Sequence, residues 1–109
     1  MRIVVKLQTE GIHYWAGCDI DEVRFLKDPH RHIFHIRVEQ EVTHEDRDIE
    51  IIEFKRDIET AINDEFWDDN FRCNYFFDMS CESIAKWIKI RFNADLVEVL
   101  EDNENGAIV

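Results

Sequence analysis

Two segments of this chain alternate apolar and polar residues with a period of two, a pattern that fits a strand with one buried face and not a helix. In residues 32–42, Phe34, Ile36, Val38 and Val42 fall on one side, and Ile33, His35, Arg37, Glu39 and Glu41 on the other. In residues 2–9, Ile3, Val5 and Leu7 share a face, and the same parity runs through Thr9 and Gly11 to His13 and Trp15 if no bulge intervenes. Each strand needs something apolar laid over its buried side. The apolar parity of the second segment also extends backwards, through His32 to His30.

Helical spacing supplies the cover. Phe54, Ile58, Ala61, Ile62 and either Glu65 or Phe66 form one stripe, which predicts a helix over 53–66. Ser80 reads as an N-cap with Glu82 in the first turn, and Ile84, Ala85, Ile88 and Phe92 carry a second helix to about Asn93. The segment 43–48 reads as a turn, and Ile49 and Ile51 as the start of a short strand. Residues 18–29 read as an acidic loop and 67–79 as irregular and aromatic. Leu96–Glu101 is a strand with Val97, Val99 and Glu101 on one parity. The turn signal Asn105-Gly106 then leads to a last strand, Ala107–Val109. Strands flanking a helix pair predict a single α+β domain, 1–109, with both helices packed on one face of an antiparallel β-sheet.

Composition narrows the function classes. The 109 residues, 45% hydrophobic and 12% aromatic, suffice for a modest core, and three glycines and one proline leave no flexible linker. No apolar run approaches the ~20 residues of a membrane helix, and MRIVVKLQTE lacks the features of a signal peptide. Cys18, Cys73 and Cys81 are an odd set without CxxC spacing, as expected of free thiols in a reducing, cytoplasmic setting. A formal charge of -12 argues against direct nucleic-acid binding and against anionic membranes. It leaves open an acidic interaction protein that mimics nucleic acid.

Side chains two apart on a strand point to the same face, so His30 and His32 can reach one metal ion together. His13 has the matching parity on the first strand. Three neutral imidazoles from neighbouring strands would make an open zinc site, with one position left for water or substrate. The alternative is a set of satisfied strand-end histidines. His35 lies on the opposite face and His44 in a turn, both as ordinary surface residues. Glu101, by its parity with Val97 and Val99, points inward at a strand end.

The order of these motifs resembles the 6-pyruvoyl-tetrahydropterin synthase and 6-carboxytetrahydropterin synthase family of tunnelling-fold proteins. GIHYW is similar to the family's first histidine segment, and HRHIFHIRV to its His-Gly-His strand. IIEFKRDI resembles the strand-to-helix entry, and Asp69–Asn74 the Asp-His segment with an asparagine four residues after the histidine. MSCESIAKWI resembles the Pro-Thr-x-Glu-Asn helix start, and VEVLED the strand ending in Glu-Thr. The resemblance spans nearly the whole chain. It implies Zn2+ at His13, His30 and His32, and a pterin- or purine-like ligand whose amino-pyrimidine edge is held by Glu101, with Glu82 at the helix start also in the ligand site. It also implies a homo-oligomer whose sheets join edge to edge, through the first strand and Ala107–Val109, with Glu101 and the histidines from different subunits.

The chain departs from that pattern where protons move. Val23–Lys27 stand where the family has its cysteine base, and Cys18 lies twelve positions before His30. Asn70 occupies the catalytic histidine position, Arg31 that of the central glycine, Met79-Ser80 that of Pro-Thr, and Glu53 that of an aspartate. Cys18, Asp19, Asp21 and Asp69 are the candidate substitute bases, with Cys18 and Asp69 foremost. Two functions follow: a divergent zinc-dependent pterin synthase or lyase, or a non-catalytic binder that sequesters a pterin- or nucleotide-like ligand.

Overall fold

A computed structural model describes residues 1–109. The strands are β1 (Arg2–His13), β2 (His30–Glu41), β3 (Trp67–Asp68), β4 (Cys73–Tyr75), β5 (Leu96–Glu101) and β6 (Asn105–Ile108). The helices are α1 (Ile51–Phe66) and α2 (Cys81–Phe92), and 3₁₀ turns lie within Asp21–Lys27. The strands form one six-stranded sheet in the order β3-β4-β1-β2-β5-β6. The architecture is α+β.

Register explains the core. Val5 pairs with Val38 and Val38 with Val97, and Leu7 pairs with Ile36 and Ile36 with Val99. These two apolar rows face the helices. Ile58, Ile62 and Phe66 of α1, and Ile84, Ala85 and Ile88 of α2, join them in one buried cluster, so both helices cover the same sheet face. The next row is Thr9, Phe34 and Glu101, followed by Gly11 with His32 and His13 with His30. The core face therefore turns polar at one end of the sheet without changing side. β1 runs unbroken to His13, and Trp15 lies beyond it. Gly11 has a packing reason: a Cβ there would come within 2.5 Å of the Phe76 ring and 2.9 Å of Phe34.

Several expectations are corrected. Ile49 and Ile51 start no strand. Glu50 instead caps α1, its carboxylate accepting from the Ile52 and Glu53 amides at 3.1 and 2.7 Å, a cap worth about 1 kcal/mol. Apolar residues flanking one glutamate fit a helix entry as well as a strand, and the cap decides. The region 67–79 holds the β3–β4 hairpin, turned by the Asp68 carboxylate, which accepts from the Asn70 and Phe71 amides. β4 runs parallel to β1 at Gly11 and Ile12, so the sheet is mixed and not purely antiparallel. Strands of two and three residues are too short to show a period. β4 covers β1 only at Gly11 and Ile12, so the stretch of β1 before them keeps an open side, and β3 and β6 end the strand order.

At the C-terminus the turn is Asp102–Glu104 and begins three residues before Asn105-Gly106. Asp102 and Asn103 take the left-handed conformation, with φ of 53° and 59°, and Asn105 and Gly106 already belong to β6. Gly106 is needed for close approach, since a Cβ there would lie 1.8 Å from the Val99 carbonyl oxygen. Ser80 caps α2 as expected, accepting from the Ser83 amide at 3.2 Å, and Asn93 ends the helix with φ 51°. No helix is long and apolar enough to cross a membrane.

Phe34 is fully buried and touches the rings of His13, His32 and Phe76 edge-on. Phe34→Ala is expected to cost about 3–5 kcal/mol in equilibrium urea unfolding of metal-free protein. A loss below ~1 kcal/mol would contradict this packing.

Candidate metal centre

His13 ends β1, His30 begins β2 directly opposite it, and His32 is two residues on along the same face. Their rings lie edge-on to one another, with centroids 4.6–5.2 Å apart. One nitrogen from each lies within 4.8 Å of the others.

Each ring is oriented by its Nδ1. In His13 it donates to the Met79 carbonyl at 2.8 Å, and in His30 to the Asp28 carbonyl at 2.8 Å. In His32 it is 2.8 Å from a carboxylate oxygen of Asp102. A carbonyl oxygen only accepts, so the proton of each neutral ring sits on Nδ1 and the lone pair on Nε2. All three Nε2 atoms are buried and lack a hydrogen-bond partner. Converging lone pairs, each ring held through its other nitrogen by an oxygen acceptor, are the arrangement of a histidine metal site. Three imidazoles suit zinc, and the orphaned nitrogens fit such an ion.

Glu101 stands beside them in the same chain. Its Oε1 is 3.1 Å from the His13 Nε2, without the alignment of a donor–acceptor pair, and its Oε2 is 3.5 Å from the His32 Nε2. Burial opposes the charged form of His13, yet the Glu101 carboxylate and the Met79 carbonyl outweigh it and raise its pKa. The His13 imidazole, with His32 behind it, holds Glu101 below the usual carboxylate range against the effect of burial. Asp102 is likewise lowered, first by the His32 ring and then by the Ile33 amide, which donates to its other oxygen at 3.0 Å.

A pocket of about 390 Å³ opens next to the triad. His13, His30, Glu82 and Glu101 line it, with Trp15 and Leu26 on its apolar side. The connection from β1 to β2 folds back to build that wall, the Trp15 amide donating to the Leu26 carbonyl at 2.7 Å. The metal candidates and both ligand candidates thus meet in one place.

The base candidates do not. Cys18 is buried, with its thiol against the Ile20 and Val23 carbonyls, and does not line the pocket. Asp69 is exposed in the β3–β4 turn, where it accepts from the Trp67 indole at 3.0 Å. Asp19 and Asp21 are exposed outside the pocket. His35 lies on the face opposite the triad, and His44 sits exposed in a turn, 3.5 Å from Asp48. The cysteine at the site is Cys81, whose thiol contacts Glu101 Oε1 at 3.6 Å. Burial, and then the Glu101 charge, push its pKa up to about 12.

Sequence reasoning missed Asp102 and the two carbonyls. Backbone acceptors leave no trace in composition. Asp102 has a readable signal in hindsight: pairing Glu101 with Phe34 sets the next carboxylate beside Ile33 and His32. No family model matches the chain, and no curated protein matches it.

All three thiols are buried. In native protein at pH 8 none should react with Ellman's reagent within minutes, and three should react after denaturation. Prompt reaction of one native thiol, traced to Cys18 by peptide mapping, would contradict this placement.

Proposed function

We propose that this chain is a divergent protein of the 6-pyruvoyl-tetrahydropterin synthase type that binds zinc at His13, His30 and His32. A pterin- or purine-like ring occupies the adjoining pocket. The observation that carries this reading is the convergence of three partnerless Nε2 lone pairs, each ring already oriented through Nδ1. An α+β sheet with two helices on one face is consistent with the tunnelling fold. Glu82 and Glu101 are the carboxylates that the pocket offers to an amino-pyrimidine edge, whose adjacent N–H groups a carboxylate can accept in pairs.

Binding without turnover is the better-supported form of this function. A proton-transfer step needs a base within hydrogen-bond reach of the substrate. Cys18 and Asp69 lie outside the pocket, and the Cys81 thiol stays protonated near neutral pH. An enzyme would have to take its base from the groups that line the pocket, such as Asp78 or Glu82, and not from the cysteine or aspartate of the family pattern. The resemblance further implies a homo-oligomer joined at sheet edges, for which the open side of β1 and the outer strand β6 are the available partners. Three free, buried cysteines suit a reducing cytoplasmic setting.

Zinc-loaded protein should contain one ion per chain, and His13→Ala, His30→Ala and His32→Ala should each abolish it. Asp102→Asn should weaken zinc by ~10–100-fold, as expected for loss of an oxygen acceptor behind a ligand. Zinc at a hundred times its Kd should add about 2.7 kcal/mol to stability. Protein free of zinc after incubation and desalting, or unchanged binding in the histidine variants, would overturn the metal reading. A calorimetric screen of zinc-loaded protein with pterins and guanine nucleotides should give a binder whose affinity falls in Glu82→Ala. No binder, or one indifferent to Glu82, would overturn the ring-pocket reading alone.

A further inference from the structure

The Glu101 carboxylate lies beside His13 and His32, outside the group of ligand atoms that all lie within 4.8 Å of one another. Its oxygens lie 3.1 and 3.5 Å from the Nε2 atoms of His13 and His32. Donor atoms sharing a tetrahedral zinc ion are about 3.3 Å apart, given metal–ligand distances near 2.0–2.1 Å. Both oxygens thus stand at ligand-to-ligand spacing from two of the three nitrogens. Glu101 is also fixed there by its fold position. It ends β5, pairs across the sheet with Phe34 and Asn105, and continues the core-facing parity of Val97 and Val99.

The two adjacent carboxylates divide the work. Asp102 takes the outer nitrogen of His32 and the Ile33 amide, while Glu101 turns to the inner nitrogens. We propose that Glu101 is a fourth protein ligand, which closes the metal site formed by His13, His30 and His32. The ion then ties the ends of β1, β2 and β5 together and shapes the pocket wall, and Glu82 is left as the carboxylate free to meet a ring in the pocket. This rests on the metal reading above, and it withdraws Glu101 from the ring-holding role that the resemblance implies. A four-ligand protein shell is the mark of a structural site, whereas catalytic zinc keeps an open position.

Cobalt(II) in place of zinc reports the shell directly through its visible absorption. Wild-type protein should take up one cobalt ion per chain and give an intense tetrahedral spectrum that excess azide leaves unchanged. Glu101→Gln should still bind cobalt, weaker by at least ~10–100-fold, the loss that even outer-shell partners carry. Its spectrum should shift on adding azide, as an exchangeable position opens. Circular dichroism of the metal-free variant verifies its fold, and the wild-type azide titration stands without the variant. A wild-type spectrum that shifts with azide would overturn the proposal while leaving the three-histidine site intact. An intense thiolate-to-cobalt band would place Cys81 in the fourth position and overturn it equally. Failure to bind any cobalt or zinc would instead overturn the metal reading beneath it.

Discussion

Three imidazole Nε2 atoms converge at one end of the sheet beside the Glu101 carboxylate, none of them in an aligned hydrogen bond, and the surrounding loops are arranged to hold them there. A buried acceptor without a partner costs on the order of 1–3 kcal/mol, and the fold sets three side by side. The cost is accepted at the rim of the core face, where apolar rows give way to polar ones. Below the triad, Phe34 and Phe76 close the core, and Gly11 gives them room. Around it, Met79, Asp28 and Asp102 hold the outer nitrogens. Loops from three parts of the chain are committed to fixing these rings, more than solvated histidines would require.

Much of this was legible in the sequence because β-strand parity is strict. Alternation in residues 2–9 and 32–42 set His13, His30 and His32 on the core side, and the register confirms it residue by residue. The parity of Val97, Val99 and Glu101 likewise put Glu101 at the inner end of its strand. Helix stripes at Ile58, Ile62 and Phe66, and at Ile84, Ala85 and Ile88, gave the cover. What failed had no period to read. The β3–β4 hairpin is too short, and the helix start at Glu50 depends on a side chain reaching two amides. The partners of the histidines are backbone carbonyls from distant loops, which only tertiary folding brings together.

The resemblance and the geometry part at Glu101. The family pattern gives this position to the ligand ring, across a subunit boundary, whereas here it sits against two histidines of its own chain. The residues that would move a proton are displaced in the same direction, Cys18 into a buried loop and Asp69 onto the surface. The departures from the family pattern therefore fall both at the proton-transfer positions and at the carboxylate beside the histidines.

The central claim is that one ion sits between the three Nε2 atoms, and anomalous diffraction at the zinc absorption edge tests it most directly. Crystals of zinc-loaded protein should show a single strong peak per chain at ~2.0–2.1 Å from the Nε2 atoms of His13, His30 and His32. A peak elsewhere, at surface carboxylates or at His44, with the three nitrogens empty, would contradict it.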